Sequence, residues 1–227
     1  VPRATRPGLA MSRDDRQNKK LIGTKEQWAR EGRGLTGQTA DPKRARLPPG
    51  QRLVKDFPVL DLGPQPNMIS REWMLSTAGQ IDQPIKWSFD DLMAQPQVEI
   101  VSDIHCVTTW SRYDNRWKGV SAKHLLAEVQ PRENTAFLMV RSYDGYATNV
   151  PLSWIDDDDV LLAHTWNGAP LTREHGGPVR LVIPKLYFWK SAKWIRHITF
   201  MGGDAPGYWE ARGYHAVGDP WKEQRYG

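Results

Sequence analysis

Apolar residues in this chain come in short runs separated by turn-forming residues. Between Ile69 and Ala78, the positions Trp73, Leu75 and Thr77 alternate with their neighbours, the period of two that marks a half-buried strand. Ile85–Phe89 and Val98–Val101 predict two more strands, and Ala136–Val140, Val160–Thr165, Val179–Ile183 and Ile198–Met201 predict four others. Turn chemistry punctuates them. Tyr143-Asp144-Gly145-Tyr146 contains Asp-Gly, a strong hairpin signal, and predicts a return along Ala147–Pro151. Asn167-Gly168 predicts another turn, and Pro184 stops the strand before it. Helical patterning is scarce. Ser88 suits the N-cap of a helix over Asp90–Ala94, whose early acids favour the positive end of the helix dipole. A short amphipathic segment runs from His124 to Val129. Many short strands, few helices and no repeat period predict an α+β fold with mainly antiparallel or mixed sheets and few short helices.

The two ends read differently. Residues 1–10 read as a linker, with Val1-Pro2-Arg3 as a cleaved-tag remnant and Met11 as the natural start. Residues 11–55 are polar, basic and punctuated by glycine and proline. They predict an extended arm over the surface, with a short helix around Lys25 to Arg30. The folded domain is expected over residues 56–227, beginning at Phe57-Pro58-Val59. Its tail from Gly202 is rich in Gly, Pro and aromatics and predicts a loop packed on the body.

Composition narrows the function. A chain of 227 residues can bury a sizeable core. No run approaches the roughly 18 apolar residues of a membrane span, and no signal-type segment is present, so the cytoplasm is the expected compartment. The net charge of +5 draws on a Lys/Arg excess in the first 55 residues. No Arg/Lys-rich helix, zinc finger or RNA-binding signature accompanies it, so nucleic acid is not an expected partner. A single cysteine forbids an intramolecular disulfide and any Cys-x-x-Cys zinc site. If it binds a metal, most other ligands come from elsewhere, such as an organic cofactor. The run Asp156–Asp159 lacks the spacing and the glycine of a calcium loop and reads as a solvated turn.

Candidate chemistry gathers at four places. Cys106 lies in Asp103-Ile104-His105-Cys106-Val107-Thr108-Thr109-Trp110-Ser111, followed by a Trp117-x-Gly119-Val120 segment read as a corner. A thiol at a strand end suits a nucleophile or a soft metal ligand; a buried structural thiol is the plain alternative. His105 either lines a pocket or sits satisfied in the core. In His175-Gly176-Gly177-Pro178-Val179-Arg180, two glycines let backbone approach a ligand, and the Arg180 fork matches a phosphate. In Lys190-Ser191-Ala192-Lys193-Trp194, small residues between two cations leave N–H groups room to face an anion. Both segments also read as ordinary surface turns. Tyr214 ends the aromatic loop Trp209-Glu210-Ala211-Arg212-Gly213-Tyr214, where packing is the usual role.

Taken in this order, these motifs resemble the molybdopterin-binding domain of the sulfite oxidase family, and especially its short stand-alone bacterial members, from about Phe57 onward. The resemblance implies that fold and a cofactor of molybdenum held by molybdopterin. It implies Cys106 as the metal ligand and Tyr214 as a second catalytic residue. His175, Arg180, Lys190, Ser191, Ala192 and Lys193 are implied as cofactor-binding, with Ser142 and Asp144 at a strand end that touches the pterin and His105 lining the pocket. Two differences bear on substrate. Ser111 stands where sulfite oxidases carry an arginine five residues after the cysteine, with Arg112 one position later. Leu60-Asp61-Leu62 stands where they carry Arg-Asn-His. The expected activity is two-electron oxygen-atom transfer on a small or sulfur-containing substrate other than sulfite. A protein methionine-sulfoxide reductase is one alternative, a non-catalytic cofactor- or phospho-ligand-binding protein a second, and a hydrolase pairing Cys106 with His164 or His175 a third. No second redox motif occurs, so a separate electron-transfer protein is an expected partner.

Overall fold

The short apolar runs assemble into two sheets. The structure, a computed structural model, describes residues 46–63 and 65–227. The helix expected near Lys25 and most of the basic arm lie outside the described residues. From Gly50 onward the chain forms one unit. Its first sheet contains β1 (Arg52–Leu53), β4 (Gln97–His105), β5 (Trp110–Ser121), β8 (Leu161–Trp166), β9 (Ala169–Pro170) and β10 (Arg180–Val182). The second contains β2 (Met74–Gly79), β3 (Lys86–Ser88), β6 (Phe137–Ser142), β7 (Ala147–Pro151) and β11 (Ile195–Met201), in the order β3-β2-β11-β6-β7. The pairs β1/β5 and β2/β11 are parallel, and the remaining pairs are antiparallel. This is the mixed, mainly antiparallel α+β arrangement that the sequence predicts. The strand β1 was not foreseen: it is a two-residue piece within the stretch read as arm.

Helices are few, and local chemistry explains both α-helices. In α1 (Phe89–Ala94) the Ser88 side chain accepts from Asp91 N while the Asp91 carboxylate accepts from Ser88 N, a complete capping box. In α2 (Ala122–Val129) the Ser121 hydroxyl accepts from Lys123 N, so the helix starts two residues before the expected His124. Leu125 and Val129, four apart, are its buried face. The Asp156–Asp159 turn is held by cations, with Lys123 at 2.7 Å from Asp158 and Lys185 paired to Asp157.

Alternation along the strands of the first sheet separates two cores. Leu162, Leu181 and Val120 face the large core shared with the second sheet and α2. Leu161, Ala163, Val182 and Trp117 face a smaller aromatic core that holds Cys106 and Trp110, with Phe57 and Phe188 packed on it. The Trp117–Val120 segment is not a corner, as the sequence suggested, but the interior of the long strand β5. Gly119 is there for close approach. A Cβ on it would fall 2.1 Å from Leu162 O, at the point where the β5/β8 register shifts.

That contact gives a first expectation. Gly119→Ala forces β5 and β8 apart and lowers stability by about 1–3 kcal/mol. Urea denaturation of the two proteins at neutral pH measures the difference, and an unchanged midpoint would remove the close-approach explanation.

Candidate functional site

The aromatic core ends at the turn between β4 and β5, and that turn presents the thiol. Cys106 N donates to Trp110 O at 2.8 Å, and Thr109 N donates to Cys106 O at 3.0 Å. Thr109 adopts φ +73°, a conformation that costs a β-branched residue about 1–3 kcal/mol and is sustained by its surroundings. Two distant segments supply that support. Gln51 Nε2 donates to Cys106 O at 3.1 Å, and Arg225 donates to Val107 O at 2.6 Å. Cys106 is buried, with its Sγ 3.1 Å from Thr108 Oγ1. Burial pushes the thiol upward in pKa, and the Thr108 contact opposes this.

Opposite elements supply cations. Burying Val182 on the aromatic face of β10 buries Arg180 on the same face, two residues away. Its Nη1 donates to His175 O and its Nη2 to Ser191 O, each at 2.8 Å. The guanidinium lies 4.2 Å from the Phe188 ring centroid. Arg180 thereby ties the His175 loop to the Ser191–Trp194 loop and keeps one N–H on each terminal nitrogen for another acceptor. Gly176, at φ +100°, lets the first loop sit against the second; a Cβ there would lie 2.9 Å from Lys193 Cβ. Lys193 Nζ donates to Glu174 O at 2.9 Å and stands 3.7 Å from Asp61. The His175 ring stacks on Phe57 at 4.1 Å. Burial, followed by Arg180, lowers its pKa. Burial, followed by Arg180, also pulls Lys193 down to about 8. Burial likewise lowers Arg180, whose guanidinium stays charged at neutral pH.

These groups meet around one cavity of about 350 Å³. Of the residues singled out from sequence, Cys106, Ser142, Asp144, His175, Arg180, Ser191, Ala192, Lys193 and Tyr214 line it. Their detailed roles differ from the simplest picture. The Ser191 hydroxyl accepts from Ile183 N at 2.9 Å and so fixes the loop. Ser142 Oγ is buried with no protein partner. Asp144 accepts from Tyr146 N at 2.9 Å, and burial raises its pKa. The structure does not bring His105 or Lys190 to the cavity lining. His105 is buried with its Nδ1 2.8 Å from Ser111 Oγ, the satisfied-core arrangement. Lys190 is fully buried in an ion pair with Glu210 at 2.6 Å. Arg112 also turns elsewhere: its Nε donates to Lys55 O, its Nη1 donates to Asn115, and the group lies over Trp166. Sequence reasoning missed Phe57, Asp61, Trp189 and Trp209 as lining residues. For Asp61 a signal existed, since it occupies the segment that differs from sulfite oxidases.

The donor set fits an anionic, sulfur-liganded cofactor: a buried thiol, an unpartnered hydroxyl and two cations with spare N–H groups open onto the same space. Comparison with known proteins agrees. Residues 62–209 match the family described as the oxidoreductase molybdopterin binding domain. The chain is 45% identical over 182 residues to the uncharacterized oxidoreductase YuiH of Bacillus subtilis, covering 80% of this chain and 92% of that one. This chain belongs to the molybdopterin-binding oxidoreductase family. Its enzymatic class, a molybdopterin-dependent oxidoreductase, and its cofactor, molybdenum with molybdopterin, follow from that membership. More distant members share parts of it. The catalytic subunit MsrP of the protein-methionine-sulfoxide reductase of Ralstonia nicotianae is 29% identical over 154 residues, 60% of this chain and 46% of that protein. Mitochondrial sulfite oxidase of Rattus norvegicus is 27% identical over 180 residues, 66% of this chain and 33% of that one. The crystal structure of the sulfane dehydrogenase SoxCD from Paracoccus pantotrophus shares the fold, with a TM-score of 0.56 at 22% identity over 61% of this chain and 40% of that chain. Among the described residues, no helix is long and apolar enough to cross a membrane.

The buried cation of this family member has a measurable signature. Lys193 has a folded-state pKa near 8, below its ordinary value of 10.5. The unfolded chain therefore binds more protons between those values, and stability of the cofactor-free protein rises with pH across that window. Below about 8 the destabilisation by the buried charge is fully present. Lys193→Met flattens the rise, as urea midpoints measured from pH 7.5 to 10.5 will register.

Proposed function

We propose that this protein moves an oxygen atom to or from a small, sulfur-containing substrate of low charge, with two electrons passing the opposite way, and that it exchanges those electrons with a separate redox protein. The observation that carries the reading is the sharing of one cavity by the Cys106 thiol, the Arg180 and Lys193 cations and the Tyr214 ring. Cys106 is the residue to hold the metal, as a thiolate, because a bound cation deprotonates a thiol outright. Arg180, Lys193 and His175 are the residues to hold the pterin and its phosphate, with Ser142 as a further hydrogen-bonding group. When bound, the cofactor supplies the oxygen-atom and two-electron exchange, and the protein supplies binding, orientation and electrostatics. Tyr214, beside Trp189 and Trp209, offers a hydroxyl to a substrate oxygen in a largely aromatic setting.

The lining also speaks to substrate. The Ser111 hydroxyl is bonded to His105, 2.8 Å away, and Arg112 is engaged away from the cavity. Among the described residues, Arg180 is then the arginine of the lining, and it serves the cofactor. With the Arg180 and Lys193 cations assigned to the cofactor, the aromatic walls beside Tyr214 suit a neutral S-oxide, which needs a hydrogen-bond donor and apolar surroundings. The likeness to MsrP over 60% of the chain supports the same direction.

The reading is tested in three steps. Protein made in cells competent for cofactor synthesis contains near-stoichiometric molybdenum, and it releases a fluorescent pterin on oxidation. Cys106→Ala keeps the pterin and loses turnover of dimethyl sulfoxide or methionine sulfoxide with a reduced viologen donor. Arg180→Met and Lys193→Met each weaken pterin retention by about tenfold or more, the worth of one charge-assisted hydrogen bond. Absence of both molybdenum and pterin would end the proposal and return Cys106 to a structural thiol.

A further inference from the structure

Lys190 was expected at the cofactor and lies elsewhere, in an environment that suggests another task. Its ammonium reaches three acceptors: Asn149 O at 2.8 Å, Asn149 Oδ1 at 2.9 Å and Glu210 Oε1 at 2.6 Å. An ammonium has three N–H donors, so this one is fully satisfied. The same Glu210 oxygen accepts from Trp189 Nε1 at 2.9 Å and Thr148 Oγ1 at 3.0 Å. Asn149 Nδ2 donates to Asp204 at 2.6 Å. Gly207 packs so tightly here that a Cβ on it would lie 2.5 Å from Glu210 Oε2. The network thus clamps the 204–210 segment to β7 and to the Phe188–Lys190 turn.

Glu210 is also the first residue of the short turn that delivers Tyr214. The 3-10 turn Glu210–Arg212 ends at Gly213, at φ +89°, and Tyr214 N donates to Trp209 O at 3.1 Å. The Tyr214 ring lies 4.9 Å from Trp209 and 5.1 Å from Trp189, edge-on to the latter at 89°. Glu210 therefore acts on Tyr214 twice, through the backbone turn and through the Trp189 ring that it holds by hydrogen bond. All three rings line the cavity. Burying a charge pair rarely stabilises a fold more than an apolar pair of the same volume would, but it fixes its partners at defined distances.

We propose that Lys190 and Glu210 are positioning residues, a buried pair that sets Trp189 and Tyr214 against the Cys106 cavity for the oxygen-transfer step. The inference rests on the reading that Tyr214 meets substrate, and its test separates the two. Labelling with 3-fluorotyrosine gives seven resonances, one for each tyrosine, and Tyr214→Phe assigns that of Tyr214. Glu210→Gln and Lys190→Met each displace the Tyr214 resonance beyond its linewidth while those of Tyr113 and Tyr143 stay in place. Glu210→Asp, which keeps the charge on a shorter arm, displaces it as well and serves if the other two fail to fold. With dimethyl sulfoxide and reduced viologen, Glu210→Gln lowers kcat by up to about a hundredfold with KM little changed, the scale of a small misplacement. The same change adds nothing in a Tyr214→Phe background.

An unmoved Tyr214 resonance in the folded variants overturns the proposal. So does a collapse of all tyrosine resonances together in all three, which assigns the pair to global stability. If the resonance moves but Tyr214→Phe turns over like the wild type, the positioning stands and the assigned role of Tyr214 falls.

Discussion

The site depends on a guanidinium that is not at the surface. Arg180 is buried among aromatic rings and spans two carbonyls, one from the His175 loop and one from the Ser191 loop. Each carbonyl sits at the end of a single 3-10 turn, Arg173–His175 or Phe188–Lys190, and neither segment has a core of its own. Their separation is set by the width of one arginine fork, which is planar and rigid. Lysine could not reproduce this, because a point charge on a flexible stem does not hold two acceptors at a fixed distance. The desolvation of Arg180 is offset by these charge-assisted bonds and by the Phe188 face. The cation then does two things at once: it organises the lining and leaves that lining electropositive.

The thiol is treated in the opposite way. Its position is fixed through backbone. A hairpin turn with a strained threonine presents Cys106, and carbonyl contacts from Gln51 and Arg225 brace that turn. Strain at one residue is tolerated because several unrelated segments over-determine its conformation. The aromatic core beneath excludes water from one side of the sulfur and leaves the other open to the cavity.

Much of this was legible in the sequence, because it depends on local chemistry. The hairpin at Asp144-Gly145, the Ser88 cap and the period-two strands are readable from neighbours alone. The groups around the cavity were legible through the resemblance of their motifs to the sulfite oxidase family; read alone, the two cation segments pass for ordinary surface turns. What escaped was three-dimensional pairing. Gly119 looks like a corner glycine, and only the β8 backbone pressed against it reveals a strand interior. Lys190 and Lys193 are equivalent in sequence, flanking two small residues. One faces the cavity and the other a buried glutamate because the chain turns between them, and Glu210 lies twenty residues further on. His105 sits next to the metal-ligand candidate, yet alternation along β4 sends its side chain to Ser111.

The bracing of the Cys106 turn has a consequence for folding. One brace comes from residue 51 and the other from residue 225, on either side of the thiol in sequence. A ribosome that has just produced the cysteine turn has made neither the two cation loops nor the last brace. A chain of that length lacks the segments that carry Arg180 and Lys193, so the cavity forms only when distant parts of the sequence close on the turn. Such long-range closure is slow to form and exposes the aromatic bed until it does.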